Sequence, residues 1–272
     1  MRLTESIRKA TTGVVRRTVE RGPRHACGWI LHHLHERYRE WSFGADTAEF
    51  GSWRGSLDRA DCHPYEPLAY ACIERALRQA VDDPRKEVFL DYGSGKGRAL
   101  MVAAQLPFRR VIGVELVPEL CEIARKNIER AWPRLSCPKV EVHCADATEF
   151  VVPPDVTLIY LYNPFWDGVL SAVQNRIRES LDKRPRRLHV VYLLNRGQTD
   201  GFAECAWLRP TIPRRELWEN VELVVYESVQ NAANHGLANT EPADLFTAAG
   251  FQGTHADSDT ESQLCNTTQT DR

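Results

Sequence analysis

Val88-Phe89-Leu90-Asp91-Tyr92-Gly93-Ser94-Gly95-Lys96-Gly97-Arg98 runs into a helical pattern (Ala99, Leu100, Val102, Ala103, Leu106) and then into Val111-Ile112-Gly113-Val114-Glu115. An apolar run ends in an acid and a turn with three glycines, and a second apolar run closes on a carboxylate. Strand, Gly-rich loop, helix and strand in this order form the unit with which α/β proteins hold a nucleoside-containing ligand. The glycines let the backbone turn sharply and let a ligand lie against it with no side chain between. Glu115, at the carboxyl end of the second strand, can accept two hydrogen bonds from a ribose diol.

Three cofactor classes use such a loop. A Walker-type phosphate loop needs Gly-Lys followed by Ser or Thr to ligate magnesium, and here Gly97 follows Lys96. A dinucleotide fold needs G-x-G-x-x-G, and Arg98 stands where its third glycine would fall. The third form, D-x-G-x-G-x-G, resembles the first motif of class I S-adenosylmethionine-dependent methyltransferases. That resemblance implies that Asp91 and the loop residues Gly93, Ser94, Gly95 and Gly97 face the amino-acid end of the cofactor. It also implies that Glu115 binds the ribose. This cofactor has no diphosphate to neutralise, so an acid beside the loop is tolerated.

Further segments carry the same resemblance. Val140-Glu141-Val142-His143-Cys144-Ala145-Asp146-Ala147 reads as a third strand ending in Asp-Ala. In the family an Asp at this point accepts a hydrogen bond from the adenine amine, which gives Asp146 that role by position. Val156 to Tyr162 reads as a fourth strand running into Asn163-Pro164-Phe165-Trp166. This looks like a variant of the [DNS]-P-P-[YF] motif of amino-group methyltransferases, with Phe165 in place of the second proline and Trp166 at the aromatic position. The family assigns the Asn oxygen and a nearby carbonyl to the acceptor nitrogen, so Asn163, Pro164 and Phe165 become candidate catalytic residues. The chemistry requires such groups, because a neutral amine must be aimed at the methyl and its hydrogens need acceptors as positive charge develops. Asn in a strand-ending turn and aromatic side chains in a core would account for the same residues without function. Upstream, Tyr65-Glu66-Pro67 matches a Tyr-containing loop that folds over the cofactor in the distantly similar non-SET lysine methyltransferases, and Tyr65 joins the candidates on that basis.

The chain has 272 residues, 43% hydrophobic and 26% charged, enough for one α/β domain with extensions. The resemblance spans residues 43 to 228. The expected organisation is a helical extension over 1–60, the methyltransferase domain over 61–230 and an acidic, low-periodicity tail over 231–272 for which disorder is expected. A net charge of −2 argues against nucleic acid as a main partner. Eight cysteines at irregular spacing, with no C-x-x-C, fit reduced thiols and a cytoplasmic location.

Charge is unevenly spread. Residues 1–40 hold nine Arg or Lys against four Glu, whereas 231–272 hold six acids against one Arg. Leu3, Ile7, Ala10 and Val14 share one helical face, and Cys27, Ile30, Leu34, Tyr38 and Trp41 share another. Two amphipathic helices are therefore expected, either packed on the domain or covering its cleft, or acting as a basic element for a membrane surface or a partner. His32, His33 and His35, with His25 and His63 nearby, match no familiar zinc spacing, and no metal site is expected.

The expectation is a Rossmann-like sheet of seven mostly parallel strands with helices on both faces and an antiparallel last strand. Residues 221–226 would form that late strand, with a hairpin partner at 205–208. The resemblance implies methyl transfer from S-adenosylmethionine to an acceptor, with nitrogen favoured (a protein lysine, another amine or an amide). A nicotinamide-dependent oxidoreductase and a catalytically inactive cofactor-binding scaffold are the alternatives.

Overall fold

The computed structural model describes residues 22–48, 65–165, 167–218 and 220–229. The expected first helix at the amino terminus, the acidic tail, His63 and Trp166 lie outside the described residues.

Seven strands form one sheet: β1 (Val88–Tyr92), β2 (Arg110–Glu115), β3 (Val140–Cys144), β4 (Leu158–Tyr162), β5 (His189–Asn195), β6 (Leu208–Trp218) and β7 (Val221–Ser228). Their spatial order is β3-β2-β1-β4-β5-β7-β6. The first five pair in parallel, and β7 runs antiparallel to both β5 and β6. The expected seven-stranded, mostly parallel sheet is therefore present. β1 is buried at all five positions, as a central strand covered on both faces must be.

Side-chain alternation along β1 divides the core in two. Phe89 points with Leu158 and Tyr160 into a layer shared by α2 (Tyr70–Ala80), α3 (Arg98–Ala104) and the end of α4 (Pro118–Ala131). Val88, Leu90 and Tyr92 point into the other layer, closed by α5 (Asp167–Lys183) through Val169, Leu170, Val173 and Ile177. Each layer interdigitates aromatic and β-branched side chains, which supplies most of the apolar burial that holds the sheet. Strand order reverses between β1 and β4: the chain leaves β1 toward β2 and β3, then returns to build β4 and β5 on the other side. In open α/β sheets a crevice forms at the carboxyl ends of the strands at such a switch.

Two expectations need correction. The partner of the last strand is not 205–208 but β6, which begins at Leu208 and runs to Trp218. Pro210, Pro213 and three arginines interrupt its apolar alternation, and it is an edge strand with register shifts, the place where proline is tolerated in a sheet. The second correction concerns α1 (Pro23–Phe43). It packs on the domain, but through its polar side. Leu34, Tyr38 and Trp41 of the expected packing face are 59%, 60% and 76% exposed. No helix among the described residues is long and apolar enough to cross a membrane.

Candidate active site

A crevice opens at the switch point, at the carboxyl ends of β1, β2 and β4. Tyr65, Asp91, Gly93, Ser94, Gly95, Glu115, Asp146, Asn163, Pro164 and Phe165 all line it. The structure thus gathers all but one of the residues selected from sequence. Gly97 is the exception and lies outside the wall. It caps α3 with a left-handed φ of 83°, and a Cβ there would come within 3.2 Å of the Ala124 methyl on α4. Its place is in the packing of two helices.

Gly93 and Gly95 are where the loop needs glycine. Their φ values are 75° and 53°. A Cβ on Gly93 would lie 2.7 Å from the Pro164 side chain, and one on Gly95 would lie 2.5 Å from the Tyr65 ring. The loop is therefore threaded between Pro164, at the end of β4, and Tyr65, whose ring lies against Gly95. The backbone N–H groups of Gly93 and Ser94 both donate to the Val114 carbonyl, at 2.9 and 3.1 Å, which ties the loop to β2. The Ser94 hydroxyl is buried and has no hydrogen-bond partner among the described residues.

The two carboxylates of this wall differ. Glu115 accepts Gly95 N–H at 2.8 Å on one oxygen and Val117 N–H at 2.9 Å on the other. Each oxygen keeps a lone pair toward the crevice, enough for a ribose diol. Burial raises the Glu115 carboxyl above its ordinary range, and backbone donors pull it part of the way back. Asp91 is 3% exposed and accepts no hydrogen bond from a described side chain. Burial, and then the neighbouring Glu115 charge, pushes its carboxyl well above the ordinary 3.8. A buried carboxylate without a donor is costly unless a cation or donor arrives. S-Adenosylmethionine carries an ammonium and a sulfonium, so the glycine cradle, the donor-free Asp91 and the half-satisfied Glu115 fit that cofactor.

Asp146 is half-buried, and one of its oxygens accepts from the backbone and hydroxyl of Thr148, at 2.9 and 2.7 Å. That turn fixes the side chain at the rim, where it lines the crevice. Across from it, Asn163 follows β4 with φ 39°, a left-handed conformation that Asn adopts more readily than most residues. Its N–H donates to the Leu193 carbonyl at 3.1 Å, locking the turn to β5. Phe165 is 7% exposed and meets Tyr92 edge-on, with centroids 6.4 Å apart, so it joins crevice to core.

Several site residues were not singled out from sequence. Tyr160 and Tyr162 stand two apart on β4 and therefore share a face, and both line the crevice with Asn195 and Glu66. The Tyr160 hydroxyl is buried with no partner among the described residues, while the Tyr162 hydroxyl donates to Asn195 Oδ1 at 3.1 Å. The period-two spacing on β4 was the available signal. Arg98 is the other omission. It is 7% exposed and donates to Thr47 Oγ1 (2.7 Å), Glu36 (2.9 Å), the Leu68 carbonyl (2.9 Å) and Glu40 (2.9 Å), with its guanidinium 4.3 Å from the Tyr70 ring centre. Tyr65 donates to the Thr47 carbonyl at 2.8 Å, and the Thr47 hydroxyl donates to Glu40. The N-terminal helix thereby sets the position of the ring that covers the loop. Among the described residues no group of three or more His, Cys, Asp or Glu is arranged to hold a metal.

Residues 89–184 match the family described as a methyltransferase domain. No curated protein matches the chain. Among solved structures, an RNA methyltransferase from Salinibacter ruber in complex with S-adenosyl-L-homocysteine is similar at 24% identity, covering 61% of this chain and 95% of that one with a TM-score of 0.45. A SAM-dependent methyltransferase from Aquifex aeolicus is similar at 13% identity, covering 60% and 94% with a TM-score of 0.49. TrmN from Thermus thermophilus is similar at 20% identity, covering 60% and 49%, also with a TM-score of 0.49. The family match spans β1 to α5, the part of the chain that carries the loop, Glu115, Asp146 and Asn163. With that match, residues 89–184 form a methyltransferase domain, set in a sheet in which only β7 runs against its neighbours.

Proposed function

We propose that the enzyme methylates a nitrogen acceptor, a protein lysine or another amine or amide, by direct displacement. The observation that carries this reading is Asn163. It stands at the carboxyl end of β4, is held in a left-handed turn, lines the crevice, and is bracketed by Pro164 against the loop and Phe165 against the core. Its amide oxygen would accept from the acceptor's hydrogens and hold the nitrogen lone pair toward the methyl. The bound cofactor supplies a sulfonium methyl that is already reactive, so alignment and charge placement are the protein's main tasks. Asp91 and Glu115 would hold the cofactor by charge and by hydrogen bonds to the ribose, and Asp146 would accept from the adenine amine. Tyr65 would cover the loop and exclude water.

Charge supports an amine over a nucleic-acid acceptor. Among the described residues that line the crevice, Glu66, Asp91, Glu115 and Asp146 are acidic and Arg98 is the sole cation. Arg98 is already held by Glu36 and Glu40. A phosphate backbone entering here would meet repulsion with no free cation among the described lining residues to offset it. Tyr160, Tyr162 and Phe165 add aromatic faces suited to an aliphatic chain ending in an amine.

The test is incubation of purified protein and methyl-labelled cofactor with cell extract, followed by mass spectrometry of the labelled products. Label that survives mild alkali and maps to an amine or amide supports the reading. Label lost to alkali as a carboxyl methyl ester, or found on RNA, overturns it. Tight S-adenosylhomocysteine binding with no labelled product from any extract would favour the inactive scaffold.

A further inference from the structure

α1 carries Ile30, Leu31, Leu34, Tyr38 and Trp41 on its outer side, and they are 36%, 67%, 59%, 60% and 76% exposed. At 3.6 residues per turn these positions, with the exposed Cys27, fall within an arc of about 100°. The opposite arc is already engaged. Glu36 and Glu40 bind Arg98, Arg39 pairs with Glu74 at 2.8 Å, and Phe43 is fully buried. The helix thus grips the domain by its ionic side and leaves its apolar side in water, the inverse of an ordinary surface helix.

Charge indicates what would cover that side. Residues 1–35 carry seven Arg or Lys against two Glu, and the exposed Arg37 borders the apolar arc. The acids of α1, Glu36 and Glu40, are both taken up by Arg98 on the opposite side of the helix. An apolar arc of Ile, Leu, Tyr and Trp bordered by Arg37, in a segment whose sequence is rich in Arg and Lys, matches an anionic bilayer interface. There aliphatic side chains enter the acyl boundary, aromatic rings sit at headgroup level, and each nearby Lys or Arg adds attraction. Two copies meeting through this face would bring two cationic segments together, which disfavours self-association. We propose that the outer face of α1 docks on an anionic lipid surface and holds the methyltransferase at a membrane without spanning it.

Co-sedimentation of the full chain with vesicles tests this, using phosphatidylcholine alone or with about one quarter phosphatidylglycerol. The expected result is a partition coefficient at least about tenfold higher on the anionic vesicles, falling with added salt. The double variant Leu31→Glu, Leu34→Glu should lose that binding while melting temperature and S-adenosylhomocysteine affinity stay as in the parent, because both side chains already face solvent. Equal binding to neutral vesicles, no binding to anionic ones, or full binding by the folded double variant would overturn the proposal. Sedimentation velocity showing a concentration-dependent dimer that the double variant abolishes would assign the face to a second copy instead.

Discussion

The two walls of the crevice are built differently. On the β1–β2 side backbone fixes the ribose-facing end: Glu115 holds two N–H donors, and Val114 receives two more from the loop, while Asp91 and the Ser94 hydroxyl await a ligand. On the β4–β5 side the polar groups are side chains with capacity to spare. The Tyr160 hydroxyl has no partner among the described residues, and Asn195 Oδ1 holds the Tyr162 hydroxyl. Backbone-fixed groups suit a ligand that never changes, since they lose no entropy on binding. Spare hydroxyls and an amide on aromatic walls suit an acceptor that must be oriented as it arrives. On the proposed reading the cofactor lies against the first wall and the acceptor against the second.

The sharpest way to break that division is Asn163→Ala. Turnover should fall by at least ~100-fold in a single-turnover assay on a labelled acceptor, while cofactor affinity stays within a few-fold. A melting temperature falling together with both quantities would show that Asn163 serves the turn at φ 39° and not the acceptor. The converse variant, Glu115→Ala, should cost the first wall about 1.5–3 kcal/mol of cofactor affinity, roughly 10- to 150-fold by calorimetry. Glu115→Asp should lose less, because the charge remains and only the reach shortens.

Asp91 sharpens the comparison through pH. Its carboxyl is raised by burial and by Glu115, so without cofactor the folded chain holds a proton to higher pH than the unfolded chain does. Stability of the cofactor-free protein therefore falls as pH rises from the ordinary carboxylate value through the raised one. A cationic cofactor favours the ionised form, so its binding releases protons in that window and its affinity rises with pH, by up to about tenfold per unit. Calorimetry in two buffers of different ionisation enthalpy should detect the released protons, and Asp91→Asn should reduce both the release and the slope. The smallest effect belongs to Gly97→Ala. The left-handed φ of 83° and the Ala124 contact should cost about 1–2 kcal/mol of stability, read as a lower melting temperature, with little change in cofactor affinity.

These expectations differ in how far the sequence alone could carry them. The first wall is local in sequence: Asp91, the loop and Glu115 lie within one strand–loop–helix–strand unit, and the glycines announce it. The second wall is assembled from β4, β5 and the segment before α2, and periodicity does not report which distant strands meet. β6 was hidden because prolines and arginines on an edge strand break the alternation that identifies strands. α1 was misread for a different reason. Periodicity shows which residues share a face, and burial was assigned to the apolar one. A buried Arg98 reversed that choice, because an arginine in the interior must be met by carboxylates, and Glu36 and Glu40 meet it.

The Arg98 cluster also bears on how the molecule opens. Swinging α1 away would break both ion pairs that Arg98 makes with Glu36 and Glu40. It would also free Thr47 and, through it, the Tyr65 ring over Gly95. Detachment of the helix and exposure of the cofactor loop are thus one cooperative event with a single free-energy cost. Whatever raises that cost at one end raises it at the other. A bound cofactor would slow the fraying of a helix outside the matched domain, and a clamp on that helix would lengthen the residence time of the cofactor.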